Sequence, residues 1–287
     1  MSYIHQINRA IDYIEDNLAY PLRVEDIAKA AGLSRWYFQK IFQAMLGETI
    51  KGYISRRRLV TAAMALRESS DKIVDIAFAQ GFESHEVFCR AFKRIFSMAP
   101  TDFRNANVTQ IIIPPKPRVT IDYLTHLYGG MSMQPQLISI EQSNAVGITA
   151  EISPENAMKV IPDLWQIFRA NMQKITGLAN AQRIAVIDAI EGESPTARLE
   201  YLAGAVWEDL DDLPDGFSIR TVEKGEYANF LHKGPVTKFA HTLNYIYGSW
   251  LPNSGRERAE GPEFALYGKT FNPHAADAEV QIYIPLK

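Results

Sequence analysis

Apolar residues early in the chain recur with the period of a helix. Phe38, Ile41, Phe42 and Met45 stand at i, i+3, i+4 and i+7, and Trp36, Gln39, Lys40 and Gln43 form the offset stripe. Fifty residues later Phe88, Ala91, Phe92 and Ile95 repeat the inner stripe, and Glu86, Cys89, Arg90 and Lys93 the outer one. Each of these predicted helices follows a shorter apolar one. "DIAKAAGLS" from Asp26 and "DIAFAQGFES" from Asp75 share D-I-A-x-A-x-G. Gly32 or Gly81 then allows a left-handed turn, and Ser34 or Ser84 stands where a side-chain oxygen caps the next helix. The pattern predicts two helix-turn-helix units. Between them "TIKGYISRRRLVTAAMALR", Thr49 to Arg67, fits one helix with Ile50, Tyr53, Ile54, Leu59, Ala62, Ala63 and Leu66 on its inner side. At 1.5 Å per residue it would be about 28 Å long, close to the roughly 34 Å repeat of B-DNA. One chain could thus enter two successive major grooves.

After "IIIPPKPR", stiffened by Pro114, Pro115 and Pro117, the pattern changes to strands and longer amphipathic helices. "LISIEQSNAVGITAEI" precedes a helix near Pro154 to Gly177, followed by "RIAVIDAI" and "ARLEYLAGAVW". The order returns about 80 residues later. "FSIRTVEKGEYANFLHKG" precedes a helix near Pro235 to Leu251, followed by "EFALYGK" and "AEVQIYIPL". Two β-α-β-β units in one α+β domain are expected. The predicted organisation is a helical domain over residues 1–107, a linker over 108–134 and an α+β domain over 135–287.

Charge sharpens this division. Residues 1–107 carry 15 Lys+Arg against 12 Asp+Glu, and residues 108–287 carry 15 against 21, a split hidden in the net charge of −3. A basic front half attracts phosphate. The single cysteine, Cys89, excludes an internal disulfide, and the six histidines show no metal-ligand spacing, so neither metal nor cofactor is expected. No apolar run reaches the roughly 18 residues of a membrane span, and "MSYIHQINRAIDYIEDN" lacks the pattern of a signal peptide, so a cytoplasmic location without a membrane partner is expected.

Double-stranded DNA is the partner these features point to. Ser34, Arg35, Trp36, Gln39, Lys40 and Gln43 in the first copy would face it, as would Ser84, His85, Glu86, Cys89, Arg90 and Lys93 in the second. Gln can pair with adenine, Lys or Arg with guanine, and an aromatic ring can rest on a thymine methyl. Trp36 could instead pack sideways on a neighbouring helix, but the matching outer stripes of the duplicated unit favour the DNA reading. Glu86 either accepts from cytosine N4 or repels phosphate. Cys89 is either a redox sensor or a small spacer. Arg57, with Arg56 and Arg58, is a phosphate contact or a partner for Glu48 or Asp75, and at least one of the three could equally form a solvated face.

In the rear half Trp207, Tyr227, Phe230, Trp250, Glu263 and Tyr267 could form an aromatic pocket with a buried carboxylate, suited to an aromatic or cationic small molecule. For any single ring, a place in the core is the favoured reading. Period-two alternation puts Glu263 and Tyr267 on one face of their strand.

The front half resembles the AraC/XylS family of bacterial transcription regulators through D-I-A-x-x-x-G-x-S, Arg57-Arg58-x-Leu, "DIAFAQGFES", "FCRAFKRIFSMAP" and the closing Phe103-Arg104. The Trp36, Gln39 and Lys40 series looks like a group of activators that bind DNA as monomers, with Lys40 where Arg is common, and His85 and Glu86 where a Gln pair is usual. RNA polymerase is a partner implied by this resemblance. The rear half resembles GyrI-like effector-binding domains through "HKGPV", His232 to Val236, and "EVQIYIPLK". A P-x-x-E-x-Y strand in that family often turns Glu to the ligand; here "PEFALY" has Ala265 at that place, two residues from Glu263. Some domains of this kind resemble small hydrolases that use a Glu and a Tyr. Taken together the sequence implies a non-enzymatic, ligand-responsive activator, with a small hydrolase or a protein-interaction module as the other readings of the rear half.

Overall fold

The computed structural model describes residues 3–106, 118–128, 133–153, 156–190, 198–211, 213–268 and 271–287. It divides into two compact units, Met1–Leu124 and Thr125–Lys287. The prolines of the expected linker lie outside the described residues.

Among its described residues the first unit is built of helices: α1 (Tyr3–Asp16), α2 (Val24–Ala31), α3 (Arg35–Leu46), α4 (Ile50–Glu68), α5 (Ile73–Ala79), α6 (His85–Phe96), α7 (Pro100–Asn105) and the start of α8 (Ile121–Tyr128). Phe38, Ile41, Phe42 and Met45 are fully buried, as are Leu59, Ala62 and Ala63 of α4. The α4 helix serves both copies. Tyr53 in its first half packs edge-on against Phe42 at 5.6 Å, while Leu59, Ala62, Ala63 and Leu66 join Ile76, Phe88, Phe92 and Phe103 in a second core. The inner stripe expected on α6 holds for Phe88 and Phe92, but Ile95 is 42% exposed. Phe96 packs on Phe92 and Phe103 in its place, so the apolar face of α6 ends one residue later than the repeat implies.

Both turns use glycine in the left-handed region, Gly32 at φ 70° and Gly81 at φ 72°. The serines that follow differ. Ser84 Oγ accepts from the Val87 N–H at 3.2 Å, whereas the Ser34 side chain makes no capping bond, a correction to the symmetric expectation. Ser84 has φ −152° and Ser34 φ −62°, so the two hydroxyls leave the backbone in different directions. Ser84→Ala should therefore cost about 1 kcal/mol in urea denaturation, and Ser34→Ala under about 0.5. Equal losses would count against this assignment.

Part of the segment expected to be linker folds onto the first unit. The Asn8 side chain donates to the Val119 carbonyl at 2.9 Å and accepts from its N–H at 3.0 Å, and Val119 and Leu124 are buried. Two apolar side chains without another core decide the matter, since leaving them in water would cost about 2 kcal/mol each.

Among its described residues the second unit is an eight-stranded antiparallel sheet with two main helices and several short helical turns. It comprises β1 (Gln136–Ile140), β2 (Ser143–Ile152), α9 (Ala157–Asn171), β3 (Arg183–Ala189) and β4 (Leu199–Val206). The second half follows with β5 (Ser218–Val222), β6 (Gly225–Lys233), α10 (Phe239–Tyr245), β7 (Glu263–Tyr267) and β8 (Glu279–Leu286). The order is β1-β6-β8-β7-β3-β4-β2-β5, which reads the same from either end once the halves are exchanged. Both β-α-β-β units are present, and each gains a leading strand paired to the other half. β1 pairs with β6, and β5 with β2. The register is continuous across the bend, from Ile140↔Gly225 to Ser143↔Val222, so β1–β2 and β5–β6 form one bent ribbon joining the two ends of the sheet. Glu141 and Lys224 pair at that bend.

Candidate DNA-reading face and effector site

On α3 the inner stripe is buried and the outer one is not. Trp36, Gln39 and Lys40 are half-buried and Gln43 is exposed. Lys40 Nζ lies 4.7 Å from the Trp36 ring centroid, a cation–π contact that sets a positive charge beside a flat apolar surface. Arg35 turns back to Glu25 of α2 at 2.7 Å, so it braces the turn between the two helices.

The second copy is more acidic and less aromatic. His85, Glu86, Arg90 and Lys93 are exposed, and His85 Nε2 lies 3.4 Å from the half-buried Cys89 Sγ. Burial raises the Cys89 thiol above its ordinary value, which is opposite to the thiolate a redox sensor needs.

Arg57 stands apart from both stripes. Its Nε and Nη2 donate to the two carboxylate oxygens of Glu15 at 2.8 and 2.9 Å, and Tyr53 Oη donates to the same carboxylate at 2.7 Å. Both charged side chains are 13% exposed. Burial and the Glu15 carboxylate raise the Tyr53 phenol. The structure thus places Arg57 in an interior ion pair between α1 and α4. Its neighbours are engaged as well: Arg56 pairs with Glu48, and Arg58 donates to the Leu18, Tyr20 and Gly81 carbonyls.

In the second unit, strand alternation sorts the candidate ligand residues. Glu263, Ala265 and Tyr267 of β7 share one face, while Phe264 on the other stacks on Tyr283 at 4.4 Å. Tyr227 belongs to that opposite face, against Phe264. Both helices lie on the Glu263 face. α9 packs on β2 and β4, and α10 covers β6 through His232 Nδ1, 2.8 Å from Thr242 Oγ1. Phe230 and Trp250 pack edge-on beside α10 at 5.0 Å, and Trp207 lies over Gly177. Of the six candidates, then, Glu263 and Tyr267 alone share the central strands between the helices.

Other residues complete that centre. Ala203, Ala185 and Ala265 pair across β4, β3 and β7, so the middle of the face is low. Beside it Trp165 Nε1 donates to Tyr201 Oη at 3.0 Å, and the Tyr201 and Tyr267 hydroxyls meet across β3 at 3.4 Å. The Tyr267 ring contacts Trp165 at 5.2 Å and Phe271 at 4.9 Å. Trp165, Tyr267 and Phe271 are half-buried, while burial raises both phenols. At the other end of β7, Tyr247 Oη donates to Glu263 Oε1 and Arg258 Nε lies 3.4 Å from the same oxygen. Burial raises Tyr247 far above its ordinary range, so it stays a neutral donor. Trp165 and Phe271 carry no signal beyond being aromatic, and nothing in the sequence ties Arg258 to Glu263.

Among the described residues no group of three or more His, Cys, Asp or Glu is placed to hold a metal ion, and no helix is long and apolar enough to cross a membrane.

With this geometry, comparison with known proteins is informative. The family described as GyrI-like small molecule binding domain matches residues 133–287. The chain belongs to the GyrI-like family. A helix-turn-helix domain family matches residues 27–106 of this GyrI-like protein. Transcriptional regulator Rob of Salmonella typhimurium is 23% identical over 94% of this chain and 92% of its own length. The right origin-binding protein of Escherichia coli K12 is 26% identical over 96% of each chain. Regulatory protein SoxS of Salmonella typhimurium is 37% identical over 37% of this chain and 98% of its own. The GyrI-like chain is thus homologous over nearly its whole length to proteins of both-domain architecture.

Proposed function

We propose that this protein is a ligand-responsive transcription activator that reads promoter DNA through its helix-turn-helix unit and binds a small organic effector in its GyrI-like unit. The observation that carries the reading is the division of α3 into a fully buried inner stripe and an accessible outer one holding Trp36, Lys40 and Gln43. Lys40 beside the Trp36 ring gives that stripe charge for the phosphates and an apolar surface for a thymine methyl. The α6 face, with Glu86 among Arg90 and Lys93, contributes more to backbone contact than to base readout. The effector acts by binding two states of the protein unequally, which shifts their populations and the recruitment of RNA polymerase.

The effector unit acts as a binding module rather than a hydrolase. Glu263 accepts from Tyr247 and faces Arg258, and a carboxylate so engaged is a poor general base. The test begins with duplexes selected from a random pool by the full-length protein. Anisotropy titration should give at least about 100-fold tighter binding to the selected duplex than to its scrambled version, with affinity falling steeply as salt rises. Equal affinity for both would sink the DNA-reading assignment. Transcription from a template carrying the selected site should rise with the protein and RNA polymerase; a flat or falling yield would remove the activator role.

A further inference from the structure

We infer that Arg258 sets the chemical class of the effector: by neutralising Glu263 from within, it makes the site one for uncharged aromatic compounds rather than organic cations. This deepens the small-molecule reading above and rests on it. A buried carboxylate on an aromatic-lined face would ordinarily attract a cation through Coulomb and cation–π terms together. Here that attraction is already used. The Glu263 side chain is 3% exposed and the Arg258 side chain 10%, with Nε 3.4 Å from Oε1. Arg258 is fixed from its other nitrogens, which donate to the Ala259 carbonyl at 2.7 Å and the Gly261 carbonyl at 2.6 Å, and its backbone bridges to Leu286. The Tyr247 hydroxyl accompanies it on the same carboxylate oxygen.

A cationic ligand reaching Glu263 would have to displace a guanidinium held at three places, or lie beside a second positive charge. Both oppose binding. Midway along β7 the residue facing the same side is Ala265, which supplies no charge. What remains is the half-buried ring cluster of Trp165, Tyr267 and Phe271, with the Tyr201 and Tyr267 hydroxyls as polar handles. Such a set offers stacking and hydrogen bonds to an uncharged aromatic molecule.

The test uses full-length protein and two probes of similar bulk, the cation tetraphenylphosphonium and the neutral triphenylphosphine oxide, titrated by calorimetry. The wild type should bind the neutral probe at least as tightly as the cation. Arg258→Gln should shift the ratio of affinities toward the cation by about tenfold or more, because it leaves the carboxylate without its guanidinium. Arg258→Lys, which keeps the charge, should retain the wild-type order. A wild type that prefers the cation tenfold overturns the inference and leaves the small-molecule reading standing. So does a folded Arg258→Gln protein, judged by near-UV circular dichroism, with an unchanged ratio. If Arg258→Gln fails to fold, the wild-type order and Arg258→Lys decide alone. Failure of both probes to bind the wild type up to millimolar concentration overturns the small-molecule reading and the inference with it.

Discussion

Arg57→Ala should lower the stability of the helix-turn-helix unit by about 3 kcal/mol, because it strands the Glu15 carboxylate among buried groups. The pair is bidentate, and Tyr53 completes its hydrogen bonding, so the loss is larger than for a surface ion pair of about 1 kcal/mol or less. Thermal unfolding of the full-length variant measures it as a shift of that unit's transition. The Glu15→Gln, Arg57→Met double variant should recover much of the loss, since neither side is then left as an uncompensated charge. DNA affinity of Arg57→Ala, measured below its unfolding range, should fall by less than about threefold. An unchanged melting profile with a uniform drop in affinity for all duplexes would instead restore Arg57 as a phosphate contact.

Trp36→Ala should cost about 2 kcal/mol, roughly 30-fold, in affinity for a selected duplex and far less for a scrambled one. The ring is half-buried on the outer stripe, packed near Tyr37 and beneath Lys40, so truncation removes an apolar contact surface and loosens the lysine at once. Lys40→Ala should differ in kind. It should weaken both duplexes and reduce the salt slope by about one unit if Lys40 meets a phosphate. Anisotropy titrations at several salt concentrations separate the two effects. Equal losses on selected and scrambled DNA for Trp36→Ala would remove it as a base reader.

The two variants also show where local sequence rules carry and where they stop. A stripe on one helix is a local matter of 3.6-residue periodicity, so the division of α3 follows from neighbouring residues. The role of Arg57 is not local, because its partner is 42 positions away on α1. From sequence, three consecutive arginines read as a cationic face; in the fold each finds an acceptor of its own in Glu48, Glu15 or backbone carbonyls. Burial of the α4 stem beneath them makes those bonds worth forming, since an unpaired guanidinium there would be costly.

The effector unit shows the same contrast. Alternation alone places Glu263 with Tyr267 and away from Phe264, and the 80-residue recurrence announces the duplication. Neither reveals that the leading strands exchange partners between halves, because strand pairing joins segments with no local signal in common. Tyr227 looked like Tyr267 in the sequence, yet lies on the other face of the sheet.

The sequence by itself determined the two units, the duplication within each, the buried stripe of α3 and the face of each β7 residue, through side-chain periods of a few residues and recurrences at about 50 and 80 residues. The tertiary structure alone decided that Arg57 belongs to Glu15, that Val119 and Leu124 close the first unit, and that Arg258 and Tyr247 occupy the Glu263 carboxylate. Those outcomes are set by which charges and apolar surfaces meet when distant segments are buried together, and desolvation makes each such meeting specific.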